Sequence, residues 1–142
     1  MPIVLGFALR LLYVLQAEPF VDEPTTMLAA QAIVRSGVPV LPSGFFYGND
    51  LIYAFLMGGL VALVGPSLTT LRLFSLALSV VTIGLVCQAG KRLISPWTGL
   101  WGGMLLALST PSIVWGGRAR AYALLQFLAF LGLWLFLSLI HI

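Results

Sequence analysis

Residues 71–92 read LRLFSLALSVVTIGLVCQAGKR. No charge interrupts the run between Arg72 and Lys91. As a helix, residues 71–89 would be about 29 Å long at 1.5 Å per residue. That matches the ~30 Å hydrocarbon core of a bilayer. Arg72 at one end and Lys91-Arg92 just past the other place charge where water begins. The expectation is a helix that crosses a membrane.

The rest of the chain agrees. Of its 142 residues, 61% are hydrophobic and 8% charged, against roughly 25% charged in a soluble domain. So few charges cannot cover a fold in polar surface, so lipid is the expected solvent. The net charge of +3 is too slight and too scattered for nucleic acid, which needs basic residues on one face. Cys87 is the only cysteine, so no internal disulfide forms. His141 suggests no role, and no repeat or low-complexity tract is visible.

Five apolar stretches follow one another: residues 3–17, Leu51–Val64, 71–89, 98–115 and 121–142. Turn chemistry separates them at Gly65-Pro66-Ser67, Gly90-Lys91-Arg92, Ser95-Pro96 and Gly116-Gly117-Arg118. The first stretch resembles a signal sequence in length, but Arg10 interrupts it and Leu15-Gln16-Ala17 is a poor cleavage site. It reads as a retained span. Trp97 and Trp115 bracket the fourth, about 27 Å apart as a helix, like aromatic belts at two membrane faces. Leu51–Val64 would be about 21 Å long, ends at Gly-Pro and holds Gly58-Gly59. It is expected to lie in the interface without crossing. The expected fold is an all-α polytopic transmembrane bundle, a single partial domain over 1–142. Spans are expected near 3–17, 71–89, 98–115 and 121–137, with surface helices in an extracytoplasmic loop, residues 18–70.

That loop holds its own helix over residues 25–36. Glu23 reads as an acidic cap, Pro24 as its first position and Gly37 as its stop. Met27, Ala30 and Val34 line one face, and Gln31 and Arg35 another. An amphipathic helix of this kind lies on the membrane surface.

Two clusters could carry chemistry. Asp22-Glu23 places two carboxylates at the membrane surface, where they could supply a general base or a metal ligand. The plainer reading is a capped helix with a solvated Asp22. Gly116-Gly117-Arg118-Ala119-Arg120-Ala121-Tyr122 places two guanidinium forks after flexible glycines, which suits a phosphate. The plainer reading is interfacial anchoring by Arg and Tyr. Arg72 is open to phosphate contact or to snorkelling. Arg10 lies well inside an apolar run, at a cost of about 2.5–3.5 kcal/mol for an arginine at a helix centre. It is expected to pair with a carboxylate or to reach a water-filled cleft. Asp50 reads as the cap of Leu51–Val64, with a site role as the lesser reading.

In order and spacing these residues resemble the N-terminal part of a GT-C membrane glycosyltransferase. The nearest likeness is to the protein O-mannosyltransferase and aminoarabinose-transferase group, glycosyltransferase family 39. A first span leads into Asp22-Glu23, and a surface helix ends at Gly37. Leu63-Val64-Gly65-Pro66-Ser67 leads into Leu71-Arg72-Leu73. Lys91-Arg92-Leu93 is similar to the family's basic cytoplasmic turn, and Arg118-Ala119-Arg120-Ala121-Tyr122 to the outer segment that leads into its fourth span.

The resemblance implies inverting transfer of a sugar from a polyprenyl-phosphate donor to an acceptor lipid, glycan or protein. It places the site on the extracytoplasmic face of a bacterial or archaeal plasma membrane. Asp22 would be the base, assisted by Glu23, and Arg72, Arg118, Arg120 and Tyr122 would hold the donor. No cofactor is assigned, and a divalent metal stays open. Gly48-Asn49-Asp50 departs from the proline and nearby lysine or histidine of many relatives, and no acid lies near Tyr122. Family members continue through more spans, so a longer parent is expected. Residues 137–142 read as a direct translation of CTG TCT CTT ATA CAC ATC, which resembles a transposon end used in library preparation. The competing reading is a non-enzymatic polytopic protein, such as a lipid-linked-sugar transporter or an assembly partner. It draws on Arg10 but lacks the symmetric repeats of transporters.

Topology turns on parity. If Leu51–Val64 does not cross, Asp22, Arg72 and Arg118 share one side and Lys91 faces the other. If it crosses, Asp22 is separated from both arginines, an arrangement that positive-charge counting slightly favours. The first scheme is preferred on length and on the resemblance. Single-cysteine labelling with an impermeant reagent in a Cys87→Ala background should mark positions 22 and 118 from the same face. Labelling from opposite faces would rule this scheme out.

Overall fold

The computed structural model describes residues 1–140, and His141 and Ile142 at the end of the 137–142 segment lie outside the described residues. Seven helices follow in order: α1 (Pro2–Gln16), α2 (Asp22–Ser36), α3 (Leu51–Val64), α4 (Leu68–Leu93), α5 (Pro96–Leu108), α6 (Thr110–Gly116) and α7 (Tyr122–Ile140). There is no strand among the described residues. One antiparallel bridge, Val40 to Phe46, closes the loop between α2 and α3. The all-helical class matches the expectation.

Of the four expected spans, two single helices, α4 and α7, are long and apolar enough to cross a membrane. α1 stops at 15 residues, about 22 Å. Residues 98–115 are not one helix but two. The outer surface is apolar: Ile52, Leu63, Leu125 and Leu139 are exposed, and α7 buries only Ala123 and Leu124.

α4 is the central helix, and every other helix packs on it. It is longer at both ends than residues 71–89. The Ser67 side chain caps it by accepting the Thr70 N–H at 3.4 Å, and the helix runs through Gly90-Lys91-Arg92 to Leu93. Gly90 is therefore not a stop. It is where α5 crosses, so close that a Cβ on Gly90 would lie 2.7 Å from the Gly99 backbone. α5 buries Gly99, Gly103 and Ala107, a four-residue spacing that puts all three on one face. Small residues let the two helix backbones approach closely.

The break between α5 and α6 has a chemical cause. Pro111 has no N–H to give the Ala107 carbonyl four residues back, and Ser109 turns extended at φ −62°, ψ 112°. The freed carbonyls of Leu106 and Ala107 accept from Arg10 at 3.2 and 3.3 Å. Arg10 also donates to Gly6 O at 3.1 Å, Ser79 Oγ at 2.7 Å and Ser112 Oγ at 2.8 Å. All five N–H groups of its guanidinium are thus satisfied with the side chain fully buried. Among the described residues no carboxylate pairs with it. Carbonyl dipoles at a helix C-terminus and two hydroxyls stand in its place.

α2 ends as expected, with Gly37 left-handed at φ 77°. It starts earlier than residue 25, so Glu23 lies inside the helix and does not cap it. Its buried line is Thr26, Ala29 and Ala30, while Val34 is exposed. That line rests on α3, where Gly58 allows the approach: a Cβ there would lie 2.9 Å from Ile33. α3 has the expected bounds and locks to α4 through Tyr53 OH and Ser75 Oγ at 2.8 Å. Asp50 precedes it at φ 53° with no side-chain cap, so its carboxylate is free for another partner.

Arg10→Met keeps length but removes every donor. It strands the two carbonyls, at about 1–3 kcal/mol for each buried unpaired group, and should lower the thermal midpoint in detergent. With Pro111→Ala present, α5 can run on and pair its own carbonyls, so the same change should cost less. Equal costs in the two backgrounds would break the link between the proline and the arginine.

Candidate functional site

The ends of α1, α2, α4 and α6 meet at one place because Glu23 and Arg72 join them. Arg72 Nε donates to Glu23 Oε1 at 2.9 Å, and Nη2 donates to Oε2 at 2.6 Å. Such a fork is the strongest geometry an arginine and a carboxylate can adopt. Each partner is then completed by backbone. Glu23 accepts the Phe20 and Ala119 N–H groups, each at 2.8 Å. Arg72 donates to the carbonyls of Val14, Ala17 and Glu18 at 3.5, 2.9 and 3.1 Å, which closes the C-terminal end of α1. Both side chains are buried. Burial alone pushes the Glu23 carboxyl up, but the Arg72 fork and the two amides outweigh it and hold it below the ordinary carboxylate range. With every Arg72 donor and both Glu23 oxygens engaged, this pair positions its neighbours.

The neighbours are less tightly held. Asp22, one residue before Glu23, is half-exposed, and its Oδ2 lies 3.7 Å from Arg120 Nη2. Asp50 Oδ2 approaches the same nitrogen at 3.8 Å. Both separations exceed a hydrogen bond. Arg120 Nη1 donates to Tyr47 OH at 3.3 Å, and Tyr47 OH is in turn 3.3 Å from Thr26 Oγ1. Arg120 Nε is buried without a partner, as is Nη1 of Arg118.

Arg118 is held by aromatic rings. Its guanidinium sits 4.4 Å from the Phe20 ring centroid, 5.8 Å from Tyr13 and 6.0 Å from Trp115, within cation–π range. Nε donates to Tyr13 OH at 2.9 Å. Tyr122 packs on Trp115 with centroids 4.5 Å apart. The preceding glycines are close-approach positions and not a loose spacer. A Cβ on Gly117 would lie 2.6 Å from the Tyr13 ring, and one on Gly116 would strike Ser79.

Asp22, Glu23, Arg72, Arg118, Arg120 and Tyr122 therefore all lie at one end of the bundle. Lys91-Arg92 lies at the other, about 30 Å along α4 at 1.5 Å per residue. Tyr47 joins the group unforeseen, and Asp50 joins it in the lesser of its two sequence readings. Asp50 reads in sequence as a helix cap, and no local signal marks Tyr47. Beside Asp50 an apolar cleft of about 300 Å³ opens between α3 and α7, lined by Leu51, Ile52, Tyr53, Leu124 and Leu128. Among the described residues no group of three or more His, Cys, Asp or Glu could hold a metal ion. A divalent ion between Asp22 and Asp50 would need most of its oxygen shell from elsewhere.

Glu23→Gln should lower stability by about 3–5 kcal/mol, the cost of leaving a buried charge without its partner. The pH dependence follows from the lowered pKa. The stabilisation is fully present above the unfolded value of roughly 4.3 and is lost as pH falls through the folded value. Thermal midpoints in detergent should drop steeply in that acid range for the unmodified chain and more gently for Glu23→Gln. Parallel curves would remove Glu23 as the titrating group.

Compared with protein-family models, curated proteins and solved structures, the chain matches none, and what the site does is argued from its own residues.

Proposed function

We propose that the chain is part of a membrane glycosyltransferase. It would move a sugar from a polyprenyl-phosphate donor to an acceptor on the extracytoplasmic side, with inversion. The observation that carries this reading is Arg120. It lies 3.8 Å from Asp50 and next to Ala121, both of which line an apolar cleft, and it has a buried Nε lacking a partner and two carboxylates too far away to be hydrogen-bonded. An anionic head with an apolar tail suits that combination. A water-soluble nucleotide sugar would leave the cleft unused.

The chemistry follows from what each group can give. Phosphate oxygens would replace the carboxylates on Arg120 and satisfy its Nε, since a guanidinium fork matches phosphate better than a distant carboxylate. Asp22 would then be free of its ion pair and able to take a proton. The acceptor hydroxyl would lose that proton to Asp22 as its oxygen bonds to the anomeric carbon. The bond from that carbon to the phosphate oxygen breaks, and the lipid phosphate leaves with the electron pair. Attack opposite the leaving group inverts the centre. Arg120 and Arg118 would stabilise the charge that builds on the phosphate, the electrostatic contribution expected to be largest. Trp115 and Tyr122 offer ring faces beside it. The transport alternative drew on Arg10, whose five donors all bond to protein acceptors.

In the full reading frame that carries this chain, Asp22→Asn should cut turnover by about two to four orders of magnitude, the range for general base loss, with donor binding kept. Arg120→Ala should weaken donor binding. Turnover near normal in a folded, normally expressed Asp22→Asn variant would remove the proposal.

A further inference from the structure

The opposite end of the bundle holds a second built feature. A narrow cleft of about 230 Å³ lies between α4, α5 and α7, lined by Val86, Ala89, Leu93, Gly102, Leu133 and Trp134. It is almost wholly apolar and smaller than the pockets that take drug-sized ligands. Arg92 lies beside it, its guanidinium 5.9 Å from the centroid of the Trp134 ring that lines the cleft. Lys91 is beside it, and both are exposed.

Among the described residues these two cations have no side-chain carboxylate to meet. The four acidic residues of the chain are Glu18, Asp22, Glu23 and Asp50. The Glu23 carboxylate bonds to Arg72, Glu18 sits beside it with its backbone carbonyl on Arg72, and Asp22 and Asp50 flank Arg120. All four are at the site end, about 30 Å away along α4. The unpaired positive charge therefore looks outward for an anion, and the anion must be one that brings an apolar chain to the cleft.

We propose that this cleft binds one acyl chain of an anionic phospholipid whose phosphate is held by Lys91 and Arg92. Trp134 forms the shared wall: one side lines the cleft, and its ring lies under Arg92, so chain and headgroup meet at one residue. Indole rings favour this level of a membrane, where one end is apolar and the other wet. The inference rests on the chain lying in a bilayer and not on glycosyl transfer, so it survives if Asp22 proves inert.

The test uses the full chain reconstituted in phosphatidylcholine vesicles. A minor share of the lipid is acyl-brominated, carried either on phosphatidylglycerol or on phosphatidylcholine. Bromine quenches nearby indoles, and the Trp134→Phe variant isolates the Trp134 signal. Quenching of Trp134 should report local enrichment of the anionic lipid over the neutral one of about thirtyfold, the scale of two basic residues at an anionic surface. Lys91→Gln with Arg92→Gln, both exposed changes, should abolish the preference. Ala89→Phe should fill the cleft and abolish it with both cations in place. Leu133→Phe fills it from the α7 side if Ala89→Phe does not fold. Equal quenching by both lipids would overturn the proposal. A preference that persists in the filled variants would overturn it too, since surface charge alone would then explain it.

Discussion

A buried carboxylate locked to a buried guanidinium decides where everything else at the site end can be. Glu23 and Arg72 come from helices far apart in sequence, and their fork is complete only with five backbone groups around it. Phe20 and Ala119 supply amides, and the end of α1 supplies carbonyls. Desolvating two charges is costly, and the interaction repays that only when geometry is good and every remaining donor and acceptor is met. Here all are met. The pair thus fixes the register of α2 against α4 and holds the segment 116–121 over both. Asp22 and Arg120 are each one residue away from a group in this network. Their meeting follows from it.

Arg10 solves the same problem without a carboxylate. A broken helix end supplies carbonyl oxygens with partial negative charge, and Ser79 and Ser112 supply two more acceptors. The arginine and the break at Ser109 depend on one another. Without Pro111 the carbonyls would stay inside their helix, and without Arg10 they would stay unpaired in an apolar medium. Gly116 is part of the same arrangement, since a Cβ there would lie 3.3 Å from Arg10 Nε and strike Ser79.

Features that depend on neighbours in sequence were legible. The bounds of α3, the left-handed Gly37 and the turns at Gly65-Pro66-Ser67 and Ser95-Pro96 follow from local chemistry, and the structure has them. What was not legible depends on partners far away. Gly90 reads as a stop, but it marks the crossing of α5, and only the Gly99-Gly103-Ala107 spacing hinted at that. Glu23 reads as a cap because its partner is 49 residues on. Residues 98–115 read as one span because tryptophans at its ends outweighed Pro111 within it. The grouping of Asp22 with Arg118 and Arg120 could be anticipated only from order and spacing. Asp50 and Tyr47 reach the group through the fold of the loop between α2 and α3, for which the sequence carries no periodicity.

The four arginines at or near the core differ in how firmly they are held, and that difference separates scaffold from chemistry. Arg10 and Arg72 have every donor bonded within the protein, so no ligand can gain a contact without breaking one. Arg118 and Arg120 each keep a buried N–H without a partner. An unmet buried donor costs about 1–3 kcal/mol, and a folded chain tolerates it where something else supplies the acceptor. Arg120 carries the further sign that its two carboxylates lie beyond hydrogen-bond distance, where an incoming oxygen can replace them without undoing a tight pair. The tight Glu23–Arg72 fork beneath fixes the backbone on either side of Asp22 and Arg120, so the proposed exchange would leave the scaffold in place. A rigid pair under a loose one is an arrangement in which an anion could be gripped, and under the proposed function the carboxylate it displaced would become available at the same place.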